Sequence, residues 1–167
     1  MMVSRTDAVV VTHWRTQMLL KHYGLRLPFW LIDSNQWELQ LDDRKLKFCF
    51  TPYAHFPGAF TTFDTESGIM FSSDLFGGLM DEFSLYAKDE SYLEAMKPFH
   101  QHYIPSNEIL RHAIDQIAAY PIEMIAPQHG SIIPIELVSA MINGLREVEC
   151  GLYLMLKDSS NFGKERG

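Results

Sequence analysis

Basic charge is scarce in this sequence. Its 167 residues include 14 Lys and Arg against 21 Asp and Glu, a formal net charge of -7, and the cations are scattered. Phosphate backbones are bound by clustered cations, so no nucleic-acid partner is expected. Cysteine is nearly missing: Cys49 and Cys150 stand alone. Two cysteines make no disulfide framework, and both are expected to be reduced and inert. No apolar run approaches the ~20 residues that a membrane span requires. A basic-then-apolar signal region is also lacking. These absences predict a soluble, cytoplasmic protein with no membrane role. Gly77-Gly78 is followed by no Lys-Ser or Lys-Thr, so it is no phosphate loop. Ser72 and Ser73 lie in no Gly-x-Ser-x-Gly elbow, which argues against a serine nucleophile.

What is present argues for a folded core. The sequence is 47% hydrophobic and 13% aromatic, far above the level of disordered chains. Residues 7–12 read as a buried strand and residues 13–23 as a short helix closed by Gly24. Residues 31–41 read as one strand-like stretch, turned by Asp42-Asp43. Alternation predicts a half-buried strand over residues 44–50. Residues 59–64 and 69–72 read as two strands joined by the turn Thr65-Glu66-Ser67-Gly68. Phe76-Gly77-Gly78 marks a loop where the backbone bends or approaches a neighbour closely. Residues 91–102 show no clean pattern. After Pro105-Ser106, the stripe Ile109, Leu110, Ala113, Ile114, Ile117, Ala118 predicts an amphipathic helix. Residues 122–126 read as a strand. Pro134 suits a first helical position, ahead of the stripe Leu137, Val138, Met141, Ile142, Leu145. One α/β unit with a mixed sheet is expected over residues 1–156, with a loose polar tail over residues 157–167.

Three polar residues stand at strand ends, where α/β folds build sites. They are His55, Asp74 and His129. Two imidazoles and a carboxylate form a partial donor set for zinc or non-haem iron. Spacing alone does not separate this from three hydrogen-bonded turn residues. Tyr53 and Tyr103 could lie beside such a pocket, though packing is the plainer account of both. His13 and His22 read as ordinary helix residues.

The local sequences add more. Thr51-Pro52-Tyr53-Ala54-His55-Phe56-Pro57-Gly58 resembles the Pro-x-x-His-x-Pro ligand segment of flavodiiron proteins. Phe71-Ser72-Ser73-Asp74-Leu75-Phe76-Gly77-Gly78 is similar to their Phe-Ser-x-Asp-x-Phe-Gly stretch, and Ala126-Pro127-Gln128-His129-Gly130 to their Pro-x-His-Gly loop. The three occur in the family's order. The likeness runs from about Asp7 to about Val148 and is greatest to the stand-alone oxygen-binding diiron proteins. This resemblance implies a partial metallo-β-lactamase-like αβ/βα sandwich. It implies iron as the cofactor, with His55 on one ion, Asp74 bridging both and His129 on the other. It also implies oxygen or nitric oxide as ligand, a redox protein or sensor as partner, and a homodimer.

One element of that family is absent. Its first ligand cluster, His-x-Glu-x-Asp-His, has no counterpart here. His100-Gln101-His102 lacks the following Asp and reads as surface or supporting residues. Three ligands, one of them shared, cannot enclose two irons, so weak or mononuclear binding is expected. The absent part would also leave a sheet edge open or paired with another chain. The abrupt entry into a strand at Asp7 favours a truncated domain; a natural half that pairs with a separate N-terminal half and a degenerate domain are the other accounts. No flavin-binding loop appears, so gas sensing or oxygen carriage is expected over rapid turnover. Two alternatives stand beside this reading: a metal-free interaction or dimerisation domain, and a zinc hydrolase that activates water.

Overall fold

The computed structural model describes residues 7–82, 84–151 and 154. The tail expected at residues 157–167 lies outside the described residues. β1 (Val10–Thr12) pairs in parallel with β2 (Phe29–Leu31), with α1 (Trp14–His22) in the connection between them. β3 (Glu38–Leu41), β4 (Arg44–Phe50), β5 (Phe60–Asp64), β6 (Ile69–Ser73), β7 (Met124–Pro127) and β8 (Ile133–Pro134) form a second sheet in that order. Only β6 and β7 pair in parallel within it. The connection between those two carries α2 (Tyr92–Tyr103) and α3 (Asn107–Ala118), and α4 (Ile135–Arg146) follows β8. The α/β class and the mixed sheet are as the sequence implies.

Strand alternation sorts the sheet into two faces. On one face Cys49, Phe63, Met70, Ile125 and Ile133 pack with Leu110, Ala113, Ile114 and Ile117 of α3 and Met141 and Leu145 of α4. Both cysteines are buried and free. On the other face Phe48 meets Phe60 and Trp30, while Phe50 lies against His13 and Trp37. α1 and the β1–β2 ribbon therefore cover this face, but only in part. α1 has no buried residue, and Phe71 on β6 remains 48% exposed.

Three expectations need correction. Residues 31–41 are not one strand. Gln36 and Trp37 take positive φ, 56° and 61°, and a left-handed pair ends any extended run. β2 and β3 are thus separate and belong to different sheets. Residues 91–102 form α2 despite Pro98. The buried set Tyr92, Met96, Phe99, His100 is spaced as one helix face. Pro134 precedes the first helical residue rather than occupying it. The start at Ser106 holds, with its hydroxyl accepting from the Ile109 N–H.

Candidate metal centre

β4, β6 and β7 all point the same way: β4 and β6 are each antiparallel to β5, and β7 is parallel to β6. Their C-terminal ends therefore share one end of the sheet. His55 lies in the turn after β4, Asp74 directly after β6, and His129 two residues beyond β7. Topology alone brings together three residues that are far apart in the sequence.

The carboxylate is the hub. Asp74 Oδ2 lies 2.9 Å from His55 Nε2. Asp74 Oδ1 lies 3.8 Å from His129 Nε2. Each oxygen thus faces a different imidazole, and all three side chains are a quarter to a third exposed. Phe99 sits between the rings, edge-on to both, with centroids 5.5 Å from His55 and 4.8 Å from His129. Tyr103 stacks on Phe99 and touches His55, with 56% of its surface exposed. Tyr53 is turned toward Arg15 instead.

Main-chain geometry sets Asp74 and His129. Ser73 and Phe76, on either side of Asp74, have φ of 55° and 67°. Non-glycine residues held there are strained by roughly 1–3 kcal/mol each, so the surroundings must fix them. The Gly77 N–H donates to the Asp74 carbonyl at 2.9 Å. The His129 Nδ1–H donates to the Gly78 carbonyl at 3.2 Å. That bond fixes the tautomer and leaves Nε2 free to coordinate. Gly77 and Gly78 are needed for closeness: a Cβ at Gly77 would lie 2.3 Å from the His129 ring, and one at Gly78 would lie 2.8 Å from the Tyr92 hydroxyl. The expected close approach at this loop is real, and its partners are His129 and Tyr92.

The turn holding His55 is braced from α1. Arg15 Nη1 donates to the Pro57 carbonyl at 2.7 Å. Gly58 packs beneath Thr16 and Arg15. His13 is buried and caps α1, its Nδ1 accepting from the Arg15 N–H. Desolvation by burial lowers its pKa. Between α1 and the sheet runs a cleft of ≈ 390 Å³ that reaches His55 and Asp74 past Thr12, Phe60 and Phe71.

α2, for which the sequence showed no clean pattern, supplies the supports of the Asp74 loop. Tyr92 donates to the Phe76 carbonyl at 3.2 Å and accepts from the Ser131 N–H at 3.0 Å. His100 is fully buried. Its Nδ1–H donates to the Met96 carbonyl at 2.7 Å, and its Nε2 accepts the Phe76 N–H at 3.2 Å. Desolvation lowers its pKa to about 4, so the ring is neutral. His100 is thus a core residue that supports the Asp74 loop, not a surface one, while its neighbour His102 is exposed. The buried spacing of Tyr92, Met96, Phe99 and His100 was the available signal.

The donor set can be tested against an ion. Donors held at about 2.1 Å from a transition metal stand about 3 Å apart at right angles and about 4 Å apart across the ion. The separations of 2.9 and 3.8 Å fall within that range. Among the described residues, no three His, Cys, Asp or Glu form a group able to hold an ion. These findings agree, because the three residues are divided, one imidazole to each carboxylate oxygen. They fit the carboxylate-bridged part of a two-ion site and leave each ion short of donors.

A chemotaxis sensor ODP, solved as its peroxy diiron species, superposes with a TM-score of 0.76 at 26% identity, over 88% of this chain and 63% of that one. The apo state of the chemotaxis sensor ODP from T. denticola gives 0.79 at 27% identity, over 87% and 62%. An anaerobic nitric oxide reductase flavorubredoxin of Aeromonas hydrophila is 26% identical over 95 residues, 53% of this chain and 19% of that protein. The chain spans about a third or less of the curated relatives' length, 34% in the longest such overlap. No helix among the described residues is long and apolar enough to cross a membrane. The family described as ODP family beta lactamase matches residues 1–130, most of the sequence, and the chain belongs to that family.

Proposed function

We propose that this chain is the ligand-bearing downstream part of a non-haem diiron domain that binds oxygen or nitric oxide, in a sensor or a reductase. The carrying observation is Asp74, whose two oxygens face two different imidazoles. A carboxylate shared by two ions needs that arrangement, and a structural Asp–His pair does not. His55 and Asp74 would hold one iron, and His129 and Asp74 the other. Bound iron would supply ferrous–ferric redox and a position for a diatomic gas. The chain's own residues do the rest. Gly78 keeps the His129 Nε2 lone pair available, Phe99 keeps the two imidazoles apart, and the cleft past Phe60 and Phe71 opens to His55 and Asp74. The relatives' names support the reading. A domain over residues 1–156, a cytoplasmic location, a homodimer and a redox or sensor partner belong to the same proposal.

The test is metal content after anaerobic loading with ferrous iron. About two irons per chain would support the proposal and mean that further donors come from outside this set. No bound iron would sink it. Asp74→Ala is expected to weaken iron at both positions by more than the ~10–100-fold seen when only a ligand's supporting group is lost. Retention of iron by that variant would also count against the proposal.

The shortage of donors, together with the half-open face at Phe71, favours a second reading: a metal-free interaction domain. A stable oligomer indifferent to added iron would distinguish it.

A further inference from the structure

We propose that His100 is a positioning residue: from α2 it holds the main chain of Phe76 and so aligns Asp74 with His129. This rests on the metal-ligand reading of Asp74 and His129. An imidazole in a hydrophobic core is unfavourable unless both of its nitrogens are satisfied. His100 is fully buried and both nitrogens are used, Nδ1–H on the Met96 carbonyl and Nε2 under the Phe76 N–H. Only the neutral tautomer with its proton on Nδ1 can make both bonds.

The bond to Phe76 falls where the backbone most needs holding. Phe76 is fully buried with φ of 67°, a conformation that the rest of the structure must impose. Both of its main-chain polar groups are taken by α2, the carbonyl by Tyr92 and the N–H by His100. Tyr92 and His100 are eight residues apart and share the buried face of that helix. From Phe76 the chain leads both ways to the site. Backward, the Gly77 N–H closes on the Asp74 carbonyl, and forward, the Gly78 carbonyl accepts from His129 Nδ1. A displaced Phe76 would move the carbonyl that fixes the His129 tautomer.

The test uses the full chain, its His100→Leu and His100→Gln variants, and NMR of the imidazole nitrogens without metal. In the native chain a through-hydrogen-bond coupling between the Phe76 amide and His100 Nε2 is expected, with His129 protonated on Nδ1. His100→Leu fills a similar space but offers no acceptor. It should give mixed His129 tautomers and an iron affinity about 10–100-fold lower. His100→Gln offers a carbonyl acceptor and should recover most of both. Absence of the native coupling overturns the proposal, as does a folded His100→Leu chain with native tautomer and affinity. Should His100→Leu not fold, the coupling and His100→Gln decide, and a mixed His129 tautomer in His100→Gln then overturns it. If the native chain takes up no iron while the tautomer responds as described, the positioning role stands and the iron reading fails.

Discussion

Gly77→Ala is expected to remove iron from the His129 side of the site while leaving the sheet intact. A Cβ at this position would stand 2.3 Å from His129 Cε1, 2.6 Å from Nε2 and 2.8 Å from the Asp74 carbonyl oxygen. Real carbon contacts do not approach so closely. The carbonyl is main chain and already bonded to the Gly77 N–H, so it yields little. The imidazole must swing instead, which breaks its bond to the Gly78 carbonyl and carries Nε2 away from Asp74. Overpacking of this kind typically destabilises by about 1–3 kcal/mol. The effect on metal should be larger, since a ligand is displaced rather than weakened. A loaded variant should hold at most the iron held through His55. Gly24→Ala is the control: its φ is 74°, but nothing lies within 4 Å of the added carbon. That change should show only the backbone penalty of about 1 kcal/mol and keep its iron. Iron content and thermal melts of both variants check this. A Gly77→Ala chain with native iron stoichiometry would show that the ring does not lie where the structure places it.

That His55, Asp74 and His129 stand at strand ends was legible because each closes an apolar strand inside a distinctive local sequence. That each carboxylate oxygen faces its own histidine was not legible. It depends on β4, β6 and β7 pointing the same way, and pairing direction is a tertiary property that short strands do not encode. β1 and β2 show this most sharply, being three residues each and joined in parallel. The break in residues 31–41 was hidden because Gln36 and Trp37 are not usual left-handed residues, and their conformation is set by the fold. α2 was hidden for another reason. Pro98 interrupts the pattern, and His100 and His102 read as surface or supporting residues. A buried histidine counts as polar in any periodicity, so the very residue that ties α2 to the site concealed the helix. Gly77-Gly78 was readable as a place of close approach, but which side chains press on it was not.

Acidification from pH 6.5 to pH 4 is expected to remove about 3 kcal/mol of stability through His100 alone. Burial holds its folded pKa at about 4, against 6.5 in the unfolded chain. The sign follows from which state takes the proton. Between those values the unfolded chain binds a proton that the folded chain refuses, since a charged ring would lose the Nε2 acceptor and be stranded in the core. The stabilisation is therefore complete above pH 6.5, is lost as pH falls and is gone below about 4. His13, also lowered by desolvation, acts in the same direction. Denaturant unfolding of the metal-free chain across this window should show stability rising with pH. His100→Gln, which does not titrate, should lose about one proton's worth of that slope. Equal slopes in the native chain and the variant would mean that His100 is reached by water. Since His100 holds Phe76 only while neutral, its bond to the Phe76 N–H should persist in the folded chain across this window and be lost only as pH falls to about 4.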